Sequence, residues 1–134
     1  MNTRYALLPA ALFALAPAVA GAWQADNLLT VNPLPGAGFE VVGRTGSAGS
    51  DYWCAAGDYA MRVLGAGGTE RIYLVRGRGA PETSDRKSAV QFSLTPPDGP
   101  EPRDSLFLSM RNVGDNLGAA FARNDCLDRK NLEF

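Results

Sequence analysis

The sequence predicts an α+β fold: an antiparallel sheet of about five strands, with one helix packed on one face and tied by a disulfide to the C-terminal segment. Three observations carry this expectation. Residues near 71–76, 89–94 and 105–110 alternate apolar and polar side chains with a period of two. A single stretch at 51–64 repeats its apolar residues at helical spacing. The two cysteines, Cys54 and Cys126, fall on that stretch and near the end of the chain.

Taken in order, Leu28–Val31 is a short β-like run stopped by the turn residues Asn32-Pro-Leu-Pro-Gly36, and Phe39–Arg44 reads as a second strand. Pro33 and Pro35 assign this pair to a sheet edge, where a missing N–H is tolerated. The helix spans Asp51–Leu64, with Ser50 as N-cap, Asp51 in the first turn and Gly65 as the stop. At 100° per residue, Trp53, Cys54, Ala56, Gly57, Ala60, Met61, Val63 and Leu64 share one broad face. Asp58 and Arg62 fall opposite them as a surface i,i+4 pair, and Ala56, Gly57 and Ala60 make the inner face thin enough to lie close on a sheet. Three alternating strands follow. Ile72 and Leu74 share a face in the first; Val90, Phe92 and Leu94 oppose Gln91 and Ser93 in the second; Leu106, Leu108 and Met110 align in the third. Thr95–Pro102 is an extended connector, and Leu117, Ala119 and Phe121 suit either a further strand or a short helix.

The 134-residue length is that of one domain, and 46% hydrophobic with 20% charged residues excludes a disordered chain. The first 22 residues read as a cleaved export signal. Arg4 precedes the apolar run Tyr5–Ala16, and the small residues Ala18, Ala20 and Ala22 offer cleavage after Ala20 or, as preferred here, after Ala22. A membrane anchor fits less well, because the run is short and contains Pro9 and Pro17. The remaining exported domain, 23–134, is expected in the periplasm of a bacterium or outside the cell, without membrane attachment after cleavage. In that oxidising space an even pair of cysteines defaults to one intramolecular disulfide; free or intermolecular thiols are the alternative.

Composition also excludes chemistries. No histidine is present, which removes imidazole-based zinc sites, haem attachment and every nucleophile relying on an imidazole base. Thirteen Lys and Arg against fourteen Asp and Glu give a net charge of −1, so the chain as a whole lacks the positive field nucleic acid demands. The glycine clusters at 43–49 and 65–69 do not have the spacing of a phosphate loop and read as turns. No carboxylate pair stands out for acid/base work, no serine has an evident base, and no metal or cofactor is expected. Lys87 and Ser88 are chain neighbours that a strand would point apart. Tyr52, Trp53, Tyr59 and Tyr73 read as packing aromatics. The most distinctive polar stretch is 76–87, in which Arg76, Arg78, Arg86 and Lys87 are placed to converge on an anionic group or a partner, aided by Gly77 and Gly79 and opposed by Glu82 and Asp85.

The segments Asp51-Tyr-Trp-Cys-Ala-Ala-Gly-Asp-Tyr-Ala60 and Arg71-Ile-Tyr-Leu-Val-Arg-Gly-Arg-Gly79 resemble those of small exported proteins of alphaproteobacteria. The resemblance spans about the middle third of the chain; it implies export and carries no active site. The expected function is therefore a non-enzymatic periplasmic or secreted binding module. It would act through the 76–87 loop, or through the sheet face that one helix leaves uncovered, where Tyr73 and Phe107 project towards a second copy or another protein. The alternative is a small His-free envelope hydrolase or a protein like a lysozyme inhibitor.

Overall fold

The structure, a computed structural model, describes residues 21–99, 103–104 and 109–130. The expected leader, save its last two residues, lies outside them, as do Ser105–Leu108, including Phe107. The strands are β1 (Trp23–Gln24), β2 (Thr30–Pro33), β3 (Gly38–Val42), β4 (Arg71–Gly79), β5 (Ala89–Ser93), β6 (Arg103–Asp104) and β7 (Asp115–Gly118). The helices are α1 (Gly49–Arg62) and α2 (Ala119–Lys130). Six strands form one antiparallel sheet in the order β1-β2-β3-β5-β4-β7, and the two-residue β6 adds in parallel beside β7. The α+β class and the disulfide are as the sequence implies. The antiparallel part of the sheet has one strand more than the five or so expected, β6 adds a seventh, and there is a second helix.

Local chemistry explains most boundaries. β2 begins two residues later than the apolar run because Leu28 sits in the preceding turn at φ 66°. α1 starts at Gly49 after an N-cap at Ala48, not at Ser50. The Asp51 carboxylate reaches back to accept the Ala48 N–H at 2.7 Å, the half of a capping box that an alanine N-cap still allows. The helix ends at Arg62, two residues before the expected Leu64, and the chain then turns at Gly65, whose φ of 70° suits glycine, with the Ala66 N–H returning to the Ala60 carbonyl at 2.8 Å. Val63 and Leu64, expected on the buried stripe, lie past the last helical residue and are exposed. Leu117 belongs to β7 and Phe121 to α2, so the 117–121 segment is a strand running directly into a helix. Ser109 and Met110 are irregular, not the end of a strand.

The helix-side face of the sheet presents Val31, Phe39, Val41, Ile72, Leu74, Val90, Phe92 and Leu117 to the side chains of α1, where Tyr52, Trp53, Tyr59 and Ala60 complete the core. Trp53 meets Phe92 edge-on with ring centroids 4.9 Å apart, and Phe39 lies 4.8 Å from Tyr59. Every residue from Asp51 to Ala60 is buried, which one sheet face alone does not achieve. α2 supplies the second cover. The thin face of α1 lies against this helix: a Cβ at Gly57 would fall 2.5 Å from the Arg123 amide nitrogen and 2.9 Å from the Ala119 carbonyl oxygen. The expected surface pair is correspondingly buried on its acidic side. Asp58 is inaccessible to solvent, with Arg62 and Arg123 each 3.2 Å from its carboxylate and the Asp26 N–H donating to it at 2.8 Å. The Cys54–Cys126 disulfide joins α1 to α2, closing a separation of 72 residues. No helix among the described residues is long and apolar enough to cross a membrane.

The opposite sheet face is also covered at its centre. Gln91 and Ser93, expected on a wet face, are buried, as are Glu40 and Val42 beside them. The cover is the 80–83 segment, held down by Glu40.

Candidate functional site

Two register shifts in β4 decide where its arginines point. Tyr73 and Leu74 pair regularly with Ser93 and Phe92, but Arg76 pairs with Gln91 and Gly79 with Ala89, so β4 carries an extra residue at each of two places. Regular alternation would send Arg76 and Arg78 to the same face as Leu74. The first irregularity turns Arg76 to the outer face opposite Gln91; the second returns Arg78 to the helix side. The four basic residues of the 76–87 loop therefore do not converge as a set.

Arg76 is committed to structure. Its guanidinium donates to the Ala80 carbonyl at 2.7 Å and lies 3.5 Å from Glu40 and 3.4 Å from Glu82. Glu40 is the hub of this outer cluster. Its fully buried carboxylate accepts N–H groups of Glu82 at 3.0 Å and Thr83 at 2.9 Å, the Thr83 hydroxyl at 2.7 Å and the Gln91 side-chain amide at 2.8 Å. Burial alone would raise its pKa; the Gln91, Glu82 and Thr83 hydrogen bonds outweigh that and hold it below its ordinary value of 4.5. With its lone pairs spoken for, Glu40 is an anchor and not a general base. The sequence offered no sign of it, because an isolated acid in a period-2 strand reads as a solvent-facing residue.

Arg78, Arg86 and Lys87 do come together, and Arg44 joins them. They line a cleft of about 630 Å³ between the 43–47 turn and the 85–88 segment, with Asp85 as the sole carboxylate among its described lining residues. The turn is built by Gly46 at φ 83°, by the Ser47 hydroxyl accepting the Arg44 N–H at 2.9 Å, and by the Ser47 N–H donating to the Arg44 carbonyl at 3.1 Å. Arg78 crosses the cleft floor, its guanidinium 5.1 Å from the centre of the buried Tyr52 ring and 3.1 Å from the Ser47 carbonyl oxygen. The Tyr52 hydroxyl shares a 2.9 Å hydrogen bond with Ser88, and the Ser88 carbonyl accepts the Gly43 N–H at 2.9 Å, locking the two walls together. Gly77 and Gly79 do not turn amides towards this cleft. Gly77 instead gives room to the Met110 carbonyl, which a Cβ there would approach to 2.7 Å, and Gly79 pairs with Ala89 in the sheet.

Charge pairing separates this cleft from the rest of the protein. Among the described residues, Arg62 and Arg123 are paired with Asp58, Arg76 with Glu40 and Glu82, and Arg71 is held by the Asn116 side chain at 2.7 Å. No ion pair among the described residues engages Arg44, Arg78, Arg86, Lys87 or Arg111, and all five lie at this end of the molecule. A near-neutral chain thus carries a locally positive pole. Neither a serine–lysine nor a carboxylate-pair arrangement is assembled there: Lys87 is exposed, Ser88 is bonded to Tyr52, and Asp85 has no acidic neighbour in the lining. No group of acidic and cysteine side chains suited to a metal ion occurs among the described residues.

Comparison with known proteins returns no match, whether against protein-family models, curated proteins or solved structures. Function therefore rests on the cleft.

Proposed function

We propose that this chain is an exported, non-enzymatic binding module that accepts an anionic group between the 43–47 turn and the 85–88 segment. The observation that carries the reading is the segregation of unpaired cations. Arg62, Arg76 and Arg123 each have a carboxylate partner, whereas Arg44, Arg78, Arg86 and Lys87 face a common cleft with only Asp85 to offset them. Placing like charges together costs energy unless a ligand neutralises them, and the planar forks of arginine suit carboxylate, sulfate and phosphate oxygens. The cleft has the volume of a small-molecule site. The apolar leader and the disulfide favour a periplasmic or secreted setting, in keeping with the resemblance to exported alphaproteobacterial proteins.

Replacing Arg78 and Arg86 together by alanine tests this. Both side chains are exposed, and the double substitution removes one hydrogen bond and one cation–π interaction, so stability is expected to fall by about 1–2 kcal/mol. Binding of inorganic phosphate or sulfate, followed by calorimetry at low ionic strength, is expected to disappear. Anion binding unaffected by the double substitution would place the site elsewhere; a large fall in melting temperature would make the arginines structural.

A further inference from the structure

The anion cleft has a neighbour, and Arg78 belongs to both. Its guanidinium bonds Ser47 on the first cleft, while its backbone N–H donates at 2.9 Å to Met110, which lines the second. The second cleft, of about 460 Å³, is bounded by Gly49, Ser109, Met110 and Arg111 and has no carboxylate among its described lining residues. Arg111 is exposed and has no ion pair among the described residues. The two clefts together hold five cations against one carboxylate, more than a single small anion can neutralise.

The remaining lining discriminates between kinds of polyanion. Thr45, Ser47, Ser88 and Ser109 line the clefts, with the Ser47 and Ser88 hydroxyls already bonded to the Arg44 N–H and to Tyr52, and Gly46 leaves its backbone open to solvent. Among the described lining residues Met110 is the lone large apolar side chain, and it is buried; Tyr52 lies beneath Arg78 and is also buried. Among the described lining residues there is no exposed aromatic or aliphatic anchor of the kind that dominates protein–protein interfaces, and no exposed ring on which a nucleobase would stack. Charge with hydroxyls and no apolar anchor suits a hydrated, acidic polymer. We infer that the two clefts form one groove for an acidic oligosaccharide, a glycan carrying carboxylate or sulfate groups at intervals, one such group seated by Arg44, Arg78, Arg86 and Lys87 and another by Arg111. This rests on the anion-binding reading given above.

The test titrates the wild-type chain and Arg111→Ala at low ionic strength with galacturonate, tetragalacturonate, sulfated dextran, unsulfated dextran of matched length and a single-stranded oligonucleotide of matched charge. Tetragalacturonate or sulfated dextran is expected to bind at least about tenfold more tightly than galacturonate, the value of one added charge-assisted contact. Which of the two binds more tightly identifies the acid group. Unsulfated dextran is expected not to bind, and Arg111→Ala to reduce the gain with chain length to the few-fold that repeated units give by themselves. A wild-type chain that binds monomer and tetramer equally, or an Arg111→Ala chain with the full gain, overturns the two-cleft groove and leaves the single-anion site standing. Oligonucleotide binding as tight as that of the acidic glycans overturns the glycan assignment. Absence of binding to every anion overturns the underlying reading as well.

Discussion

A chain with both Cys54 and Cys126 replaced by alanine is expected to lose about 3–4 kcal/mol of stability and to melt more than about 10 °C below the wild type. The bond closes a separation of 72 residues that includes β4 and β5, so its removal frees the denatured chain across much of the domain. For a domain whose entire stability is about 5–15 kcal/mol, that is a large share. Both sulfurs are buried at the α1–α2 contact, where Gly57 already brings the two backbones into van der Waals range. The loss is therefore expected to open that contact first, with the amides of α2 losing protection from hydrogen exchange before those of β3 and β5. Reduction by dithiothreitol of the wild-type chain is expected to have the same effect. An unchanged melting temperature in the double alanine chain would show that packing alone holds the helices together.

The second large effect is expected at Glu40. Glu40→Ala leaves the Gln91 amide, two backbone N–H groups and the Arg76 guanidinium without their shared acceptor, at a cost of about 2–4 kcal/mol; the upper end is discounted because Arg76 is partly exposed and recovers water. The pH dependence has a definite sign. The folded carboxyl titrates below its ordinary value of 4.5, so the native state prefers the ionised form. Its contribution is complete above the unfolded-state pKa and fades as pH falls through the lower, folded-state value. The difference in stability between wild type and Glu40→Gln, followed by denaturant titration, is thus expected to be flat near neutrality and to shrink below about pH 4.5. A difference that grows on acidification would mean that the buried carboxyl is held neutral. The same substitution releases the 80–83 segment from the sheet, so it is also expected to weaken anion binding, because Arg86 and Lys87 follow within the same connection.

What the sequence makes legible here is what depends on local periodicity. β3, β4 and β5 lie close to where alternation predicts them, and α1 is displaced by only two residues because Asp51 caps it from inside the first turn. The cysteine pairing follows from count and compartment. What escapes is set by non-local geometry. The polar character of 119–130 leaves strand and short helix undecided there, because the second helix is held by docking at Gly57 and by the disulfide more than by an apolar stripe of its own. Asp58 reads as surface because nothing local announces the helix that buries it. Within the candidate site, three of the four cations singled out in the sequence, Arg78, Arg86 and Lys87, line one cleft. Arg76 is lost from the set because an irregularity of one residue reverses a strand's faces, and Arg44 is missed because its turn is contiguous with the 85–88 segment only in the folded chain. Pattern reading counts residues along a strand, and β-bulges change the count.

The central claim is that the unpaired cations of the 43–47 turn, Arg78 and the 85–88 segment form one anion-binding site. Titration of the isotopically labelled protein with inorganic phosphate, followed by amide chemical shifts, tests it most directly. Saturable shifts confined to residues 43–47, 78 and 85–88, with those of α2 unmoved, are the predicted result. Shifts that track ionic strength without saturating, or that centre on Asp58 and the α1–α2 contact, would contradict it.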